Sequence, residues 1–311
     1  MRFRRPDKKK ILLFLSVLGP GIITASVDND AGGIATYSIA GAHFGYALLW
    51  TLLPITVALI VVQEMVARMG VVTGKTLADL IREKFGVRPT FFLLVALVLA
   101  NLGNTVAEFA GWASAWEIFG VSKYFSVPVG AAAVWFLVVK GTYRVVEKIF
   151  LVACLIFLAY PVAAYLAGPD GAVVARNLVV PDIRVDAAYI TLLIGMVGTT
   201  IAPWMQFYLQ SAVVEKNLQM EQYPLTRADV IFGCLVTDVV ALSIIVACGA
   251  TLYVSGVRIT DAKDAAMALA PLAGKNASLL FAFGLANASL FAASILPLAT
   301  AYCVCEGMGW E

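Results

Sequence analysis

Apolar residues run in stretches of about 18 or more that recur along the whole chain, each long enough to cross a hydrocarbon core of roughly 30 Å as a helix. Eight such spans are predicted: about 11–40, 46–67, 89–118, 124–139, 149–167, 188–214, 230–254 and 276–305. The fourth is short and rich in Gly and Ala, and the first is longer than one crossing requires. The pattern divides the chain into a basic N-terminal segment 1–10, five spans over 11–167, three more over 188–305, and a closing segment 306–311.

Composition agrees with this division. Hydrophobic residues make up 61% of the chain and charged residues 14%, with a mean hydropathy of +0.89. Soluble domains hold roughly 45–50% apolar and about 25% charged residues, so a lipid bilayer is the expected solvent. A net charge of +2 points to no nucleic acid or other polyanionic partner. The placement of the basic residues is more informative. With the N-terminus cytoplasmic, sixteen of the 22 Lys and Arg fall in cytoplasmic segments and six in the opposite loops, which is the asymmetry that sets orientation. The expected location is the cell membrane, multi-pass, with the N-terminus inside. A cleaved signal peptide would also begin with basic and then apolar residues, but this stretch carries Gly-Pro-Gly and acidic residues and leads directly into further spans.

Five cysteines, Cys154, Cys234, Cys248, Cys303 and Cys305, all lie in apolar segments and are expected to be buried small hydrophobes. Cys303 and Cys305 are two positions apart, which on a helix does not place them face to face. His43, the single histidine, cannot build a histidine metal site alone.

The acidic residues left at membrane depth are Asp28, Asp30, Glu64, Glu108, Asp238 and Glu306, with Glu117 near a span end. A carboxylate there costs several kcal/mol unless paired, protonated or hydrated. No span supplies a Lys or Arg partner, which leaves protons, water, backbone or a bound cation. Glu64 and Glu306 sit near cytoplasmic ends and can reach the interface. Asp238 can serve as a protonated group hydrogen-bonded to a neighbouring helix.

Asp28 and Asp30 are different, because they lie mid-span in Asp28-Asn29-Asp30 followed by Ala31-Gly32-Gly33. Asp and Asn favour turns and Gly disfavours helix by roughly 1 kcal/mol, so the segment is predicted to unwind. The sixth span holds a second interruption: Pro203 removes the bond to the Thr199 carbonyl, with Gly195, Gly198, Thr199 and Thr200 nearby. Unwound backbone at membrane depth must line a cavity or be buried in protein. Breaks in the first and sixth spans match two five-helix inverted repeats, with substrate held between them. The predicted site sets Asp30 against the carbonyls from Thr199 to Ala202.

At these residues the sequence resembles the Nramp family of divalent-metal transporters. The segments concerned are GPG at 19–21, Asp30 to Thr36, AGAHFGYALLW at 40–50, TVAEFAG at 105–111, TTIAP at 199–203 and SILPLATAYCVCEGMGWE at 294–311. The resemblance implies an all-α integral membrane protein with a LeuT-type inverted-repeat bundle, of which about eight helices are present and the second repeat is incomplete. Members carry ten or eleven spans, so a piece of a longer protein is expected.

Departures fall within the site. The family motif Asp-Pro-Gly-Asn reads Asp30, Ala31, Gly32, Gly33 here, which keeps the metal-binding Asp and replaces the Asn ligand by Gly33. Met-Pro-His reads Ala202, Pro203, Trp204, so the thioether and the histidine are gone. In the third span Asp-x-x-Glu reads Thr105 to Glu108, keeping only the Glu. Asp28 and Asn29 adjoin the site. Loss of a soft sulfur ligand removes discrimination against hard ions, and a wide pocket suits Mg²⁺, which keeps several waters. The resemblance therefore implies a transporter of Mg²⁺ and also Mn²⁺, largely hydrated and weakly or not proton-coupled, like the Nramp-related magnesium transporter branch. No cofactor is implied beyond the transported divalent cation.

Three other readings compete. One is a proton-coupled Mn²⁺/Fe²⁺ transporter with rearranged ligands. Another is a LeuT-type carrier of an organic amine on Asp30, with Trp204 and Phe207 as aromatic lining. An intramembrane aspartic protease would pair Asp30 with Asp238, but no nucleophile with a base is present, and an enzyme is not expected.

Overall fold

The structure, a computed structural model, describes residues 19–141, 143–273 and 275–310. The expected basic segment 1–10 and the start of the first span lie outside the described residues. Among those described there are helices and no strand.

The first span is present as two half-helices, α1 (Pro20–Val27) and α2 (Ala31–Phe44), separated by Asp28 to Asp30. Gly32 and Gly33 do not belong to the unwound stretch. Asp30 is the N-cap of α2, in extended conformation, and its side chain accepts from the Gly33 N–H at 2.7 Å, which starts the helix across both glycines. Seven further helical stretches among the described residues are long and apolar enough to cross a membrane.

The second span is α3 (Leu52–Thr73), stopped by Gly74 in left-handed conformation at φ +62°. The basic loop that follows contains an unpredicted helix, α4 (Leu77–Phe85), capped by Thr76, whose hydroxyl accepts from the Asp79 N–H. Then come α5 (Val87–Ile118) and α6 (Lys123–Lys140).

The fifth span differs from the expected single helix. It divides into α7 (Tyr143–Ile156) and α8 (Ala159–Leu166), with Phe157 and Leu158 making i−3 bonds to Cys154 and Leu155. Pro161 explains the division, because it has no N–H to give the Phe157 carbonyl. A short helix, α9 (Gly171–Val179), leads to the sixth span, α10 (Ala187–Thr200) and α11 (Pro203–Glu215). The chain continues through α12 (Tyr223–Cys248), the short α13 (Ala262–Ala273) and α14 (Lys275–Met308), which runs past the expected end at residue 305.

Burial separates centre from periphery. The apolar stretches of α12 and α14 are 67% and 72% buried, against 17% for α6. Large apolar side chains such as Phe92, Leu99, Val106 and Phe136 on α5 and α6 are exposed, as lipid-facing residues are.

Both halves of the first span lie directly on α12. A Cβ at Gly21 would stand 2.6 Å from the Val230 nitrogen, and one at Gly41 2.5 Å from the Ile245 carbonyl oxygen, so backbone meets backbone at two levels. Asp229 of α12 also accepts from the Gly19 and Gly21 N–H groups at 3.2 and 2.7 Å, satisfying donors at the start of α1.

Candidate functional site

The first break is held by carboxylates and an amide. Asp30 accepts from Gly33 as described, and Glu108 of α5 reaches the same helix start, its Oε2 accepting from the Ala31 N–H at 3.1 Å. Two of the free donors of α2 are thus met by acidic groups at the positive end of its dipole. Asn29 Nδ2 donates to the Thr237 carbonyl and hydroxyl oxygens, both at 3.2 Å. Asp28, Asn29 and Glu108 are buried, while Asp30 is only half-buried.

The second break is a true interruption and not a kink. Ile201 (φ −119°, ψ 61°) and Ala202 (φ −74°, ψ 138°) leave the helical region, and Pro203 opens α11 at a position where no N–H is needed. The Ile201 N–H closes on the Val197 carbonyl at 3.0 Å. The Thr199 carbonyl has no such partner four residues on, since that residue is Pro203.

The two breaks face one another. The space that a Cβ on Gly33 would fill is bounded by the Asp28 carbonyl oxygen at 2.7 Å, Asp30 Oδ1 at 3.4 Å and Thr199 Oγ1 at 3.5 Å. Tyr37 and Thr200 meet through their hydroxyls at 2.6 Å. Thr200 gives its proton to the Met196 carbonyl at 2.8 Å, which makes Tyr37 the donor in that contact. Tyr37 was not singled out by sequence reasoning, although it stands seven residues from Asp30, two turns along the same helix face.

Asp30, Gly33 and Thr199 are therefore brought together, and other predicted positions have different surroundings. The Ala202 carbonyl already accepts from the Met205 N–H at 3.2 Å, and with the Gln206 amide oxygen and nitrogen exchanged, as their neighbours require, that nitrogen donates to the Ala202 and Pro203 carbonyls at 2.6 and 2.7 Å. A cation at Ala202 has to displace Gln206. Thr105 gives its hydroxyl to the Asn101 carbonyl of its own helix at 2.8 Å. Trp204 is 2% exposed and packs beside Tyr208, with ring centroids 6.4 Å apart.

Among the described residues no three His, Cys, Asp or Glu side chains converge on one point. Metal binding at the breaks would thus rest on one carboxylate with hydroxyl, carbonyl and water oxygens. Cys303 is buried and Cys305 exposed, so they do not share a direction. His43 Nε2 lies 3.0 Å from the Ile259 carbonyl. Glu64 accepts from the Tyr223 hydroxyl and lies 3.7 Å from Arg68, and Glu306 accepts from Ser211 at 2.9 Å.

A cavity of about 250 Å³ adjoins the start of α2, lined by Ala31, Gly32, Ala107, Gly111, Asp261 and Lys263. Lys263 Nζ is paired with Glu117 at 2.5 Å.

Residues 21–311 match the family described as Natural resistance-associated macrophage protein-like, abbreviated Nramp. The chain belongs to this family. Nramp relatives include the divalent metal cation transporter MntH of Yersinia pestis (strain Pestoides F), 30% identical over 304 residues, covering 95% of this chain and 73% of that protein. MntH of Deinococcus radiodurans is 30% identical over 299 residues, covering 92% and 67%. Among solved structures, the manganese transporter of Eremococcus coleocola in complex with an aromatic bis-isothiourea compound has the same fold. Its TM-score is 0.84 at 22% identity, covering 99% of this chain and 68% of that one. Nramp proteins are transporters, so the intramembrane-protease reading is set aside, and the bundle is of the inverted-repeat LeuT type.

Proposed function

We propose that this chain carries divalent metal cations across the cell membrane, with Asp30 as the principal ligand. The observation that carries this is the half-buried Asp30 carboxylate at one helix break, beside Gly33 and facing Thr199 at the other. Discontinuous helices offer a cation the oxygens that continuous ones withhold. The relatives named divalent metal cation transporters support the same class of cargo and favour a metal over an organic amine.

For the ion itself, Mn²⁺ carried in the Nramp manner has the better support, since a solved protein of this fold is a manganese transporter and the relatives named above are divalent metal cation transporters called MntH. Mg²⁺ is the second reading, and the ligand set alone favours it. Ala202 and Gly33 stand where the family places Met and Asn, leaving only hard oxygen ligands, which do not select against a hydrated Mg²⁺. The distribution of basic residues along the sequence supports a cytoplasmic N-terminus. The membrane potential then contributes about 2.3 kcal/mol per charge per 100 mV to cation entry.

The test is Mn²⁺ uptake by the intact protein in liposomes, with Asp30→Ala as control. Uptake is expected to vanish in the variant, and unchanged uptake would show the site to be misassigned. Millimolar Mg²⁺ that suppresses Mn²⁺ uptake supports the magnesium reading, and Mg²⁺ without effect removes it. A lumenal pH dye separates coupled from uncoupled transport.

A further inference from the structure

Two deeply placed carboxylates take no part in the arrangement around Asp30. Asp28, which closes α1, is 2% exposed, and Asp238 of α12 is 8% exposed. None of their four carboxylate oxygens has a hydrogen-bond partner. Among the described residues neither takes part in an ion pair.

Their neighbours bring them together. Asn29 is bonded to Thr237, and the Thr237 hydroxyl donates in turn to the Ala25 carbonyl. The residue after Asp28 is thereby pinned to the residue before Asp238, which brings the two acidic residues to the same level of the contact between the first break and α12. Thr56 of α3, beside Asp238, has given its proton to the Leu52 carbonyl at 2.7 Å. A further, uncharged group is stranded at the same place: the Asn29 Oδ1 atom, on a residue 1% exposed, has no partner either.

A buried carboxylate without a partner costs several kcal/mol, and a second one facing it adds repulsion. The unpartnered atoms are all oxygens and two of the groups are acidic, which is the ligand chemistry and charge of a hard divalent cation site. No three acidic, His or Cys side chains converge on one point among the described residues, and the Asp30 carboxylate is turned to the Gly33 N–H at the start of α2.

We propose that Asp28 and Asp238, with the amide oxygen of Asn29, form a second site for a hard divalent cation, buried behind Asp30 between the first helix break and α12. Ions at both sites repel one another, so filling one loosens the other, which is how adjacent sites allow an ion to leave. The inference goes beyond the proposed transport function and is read by counting bound ions, not by flux.

The experiment is a titration of the purified intact protein in detergent with MnCl₂, following free Mn²⁺ by its electron paramagnetic resonance signal. Two Mn²⁺ per chain are expected for the wild type and one each for Asp30→Ala, Asp28→Asn and Asp238→Asn. The double variant Asp28→Asn/Asp30→Ala is expected to bind none. Gel filtration and thermal unfolding verify that each variant folds, and Asp238→Asn stands in if Asp28→Asn does not. A wild-type count of one overturns the proposal, since protons then balance the pair. A count of two in folded Asp28→Asn or Asp238→Asn also overturns it, as does a count of zero, which would mean a single shared site. If Asp30→Ala alone keeps two, the Asp30 assignment fails and the buried site stands.

Discussion

The hydroxyl of Tyr37 donates to the hydroxyl of Thr200 at 2.6 Å, tying α2 to the end of α10 next to the second break. Both residues are buried, at 0% exposure each, so water cannot replace the bond. Tyr37→Phe is expected to lower stability by about 1 kcal/mol. It should also weaken Mn²⁺ uptake by loosening the opposed breaks. Thermal unfolding in detergent and liposome flux measure the two effects, and a variant unchanged in both would show that the tie holds nothing.

Gly33 is tightly confined between the two breaks. In Gly33→Ala the new Cβ would lie 2.7 Å from the Asp28 carbonyl oxygen, so backbone must shift. Overpacking of this kind costs about 1–3 kcal/mol. The shift bears on Asp30 and Thr199, so Mn²⁺ affinity should fall more than stability does. Calorimetric titration beside thermal unfolding checks the comparison, and wild-type affinity would exclude Gly33 from the ion's surroundings.

Ala202→Met introduces a thioether beside the second break. A soft sulfur ligand favours Mn²⁺ over Mg²⁺, so the Mg²⁺ concentration that halves Mn²⁺ uptake should rise. Competition in liposomes reads this directly. No change would mean that Gln206 keeps its hold on the Ala202 carbonyl and the ion binds at Thr199 without reaching Ala202.

Lys263 lines the cavity beside Gly32 and is paired with Glu117. Lys263→Ala removes a positive charge from this cavity beside α2 and frees an acidic one. The KM for Mn²⁺ should fall at low ionic strength, and the difference should shrink near 0.15 M salt, where the screening length is about 8 Å. A salt-independent change would point to altered packing instead.

What could be read from the sequence followed from the range of each signal. Apolar runs announce spans because a helix in lipid has to satisfy its backbone internally. The Asp28-Asn29-Asp30 cluster announced a break, yet Gly32 and Gly33 turned out helical because the Asp30 side chain caps them. Pro161 was hidden in an apolar run, where hydropathy does not change at the break it causes. The α4 segment read as a basic loop because its charged residues outweigh Leu77, Leu80 and Ile81. Tyr37 and Thr200 are 163 positions apart, and Gln206 competes for Ala202 only through a side-chain placement that spacing does not encode.

Gly21 and Gly41 seat α1 and α2 against α12 on either side of the unwound stretch. In mechanical terms α12 is a splint across a fracture. The first break is thereby braced and cannot act as a hinge unless α12 bends with it. The second has no such backbone-to-backbone seat on its α10 side: a Cβ at Gly198 would meet nothing within 4 Å, and α10 buries only Tyr189, Met196 and Thr200, the last of them tied to Tyr37. Movement between the two breaks is therefore expected at Ile201 and Ala202, and it has to part Tyr37 from Thr200 while Asp30 stays with the braced half.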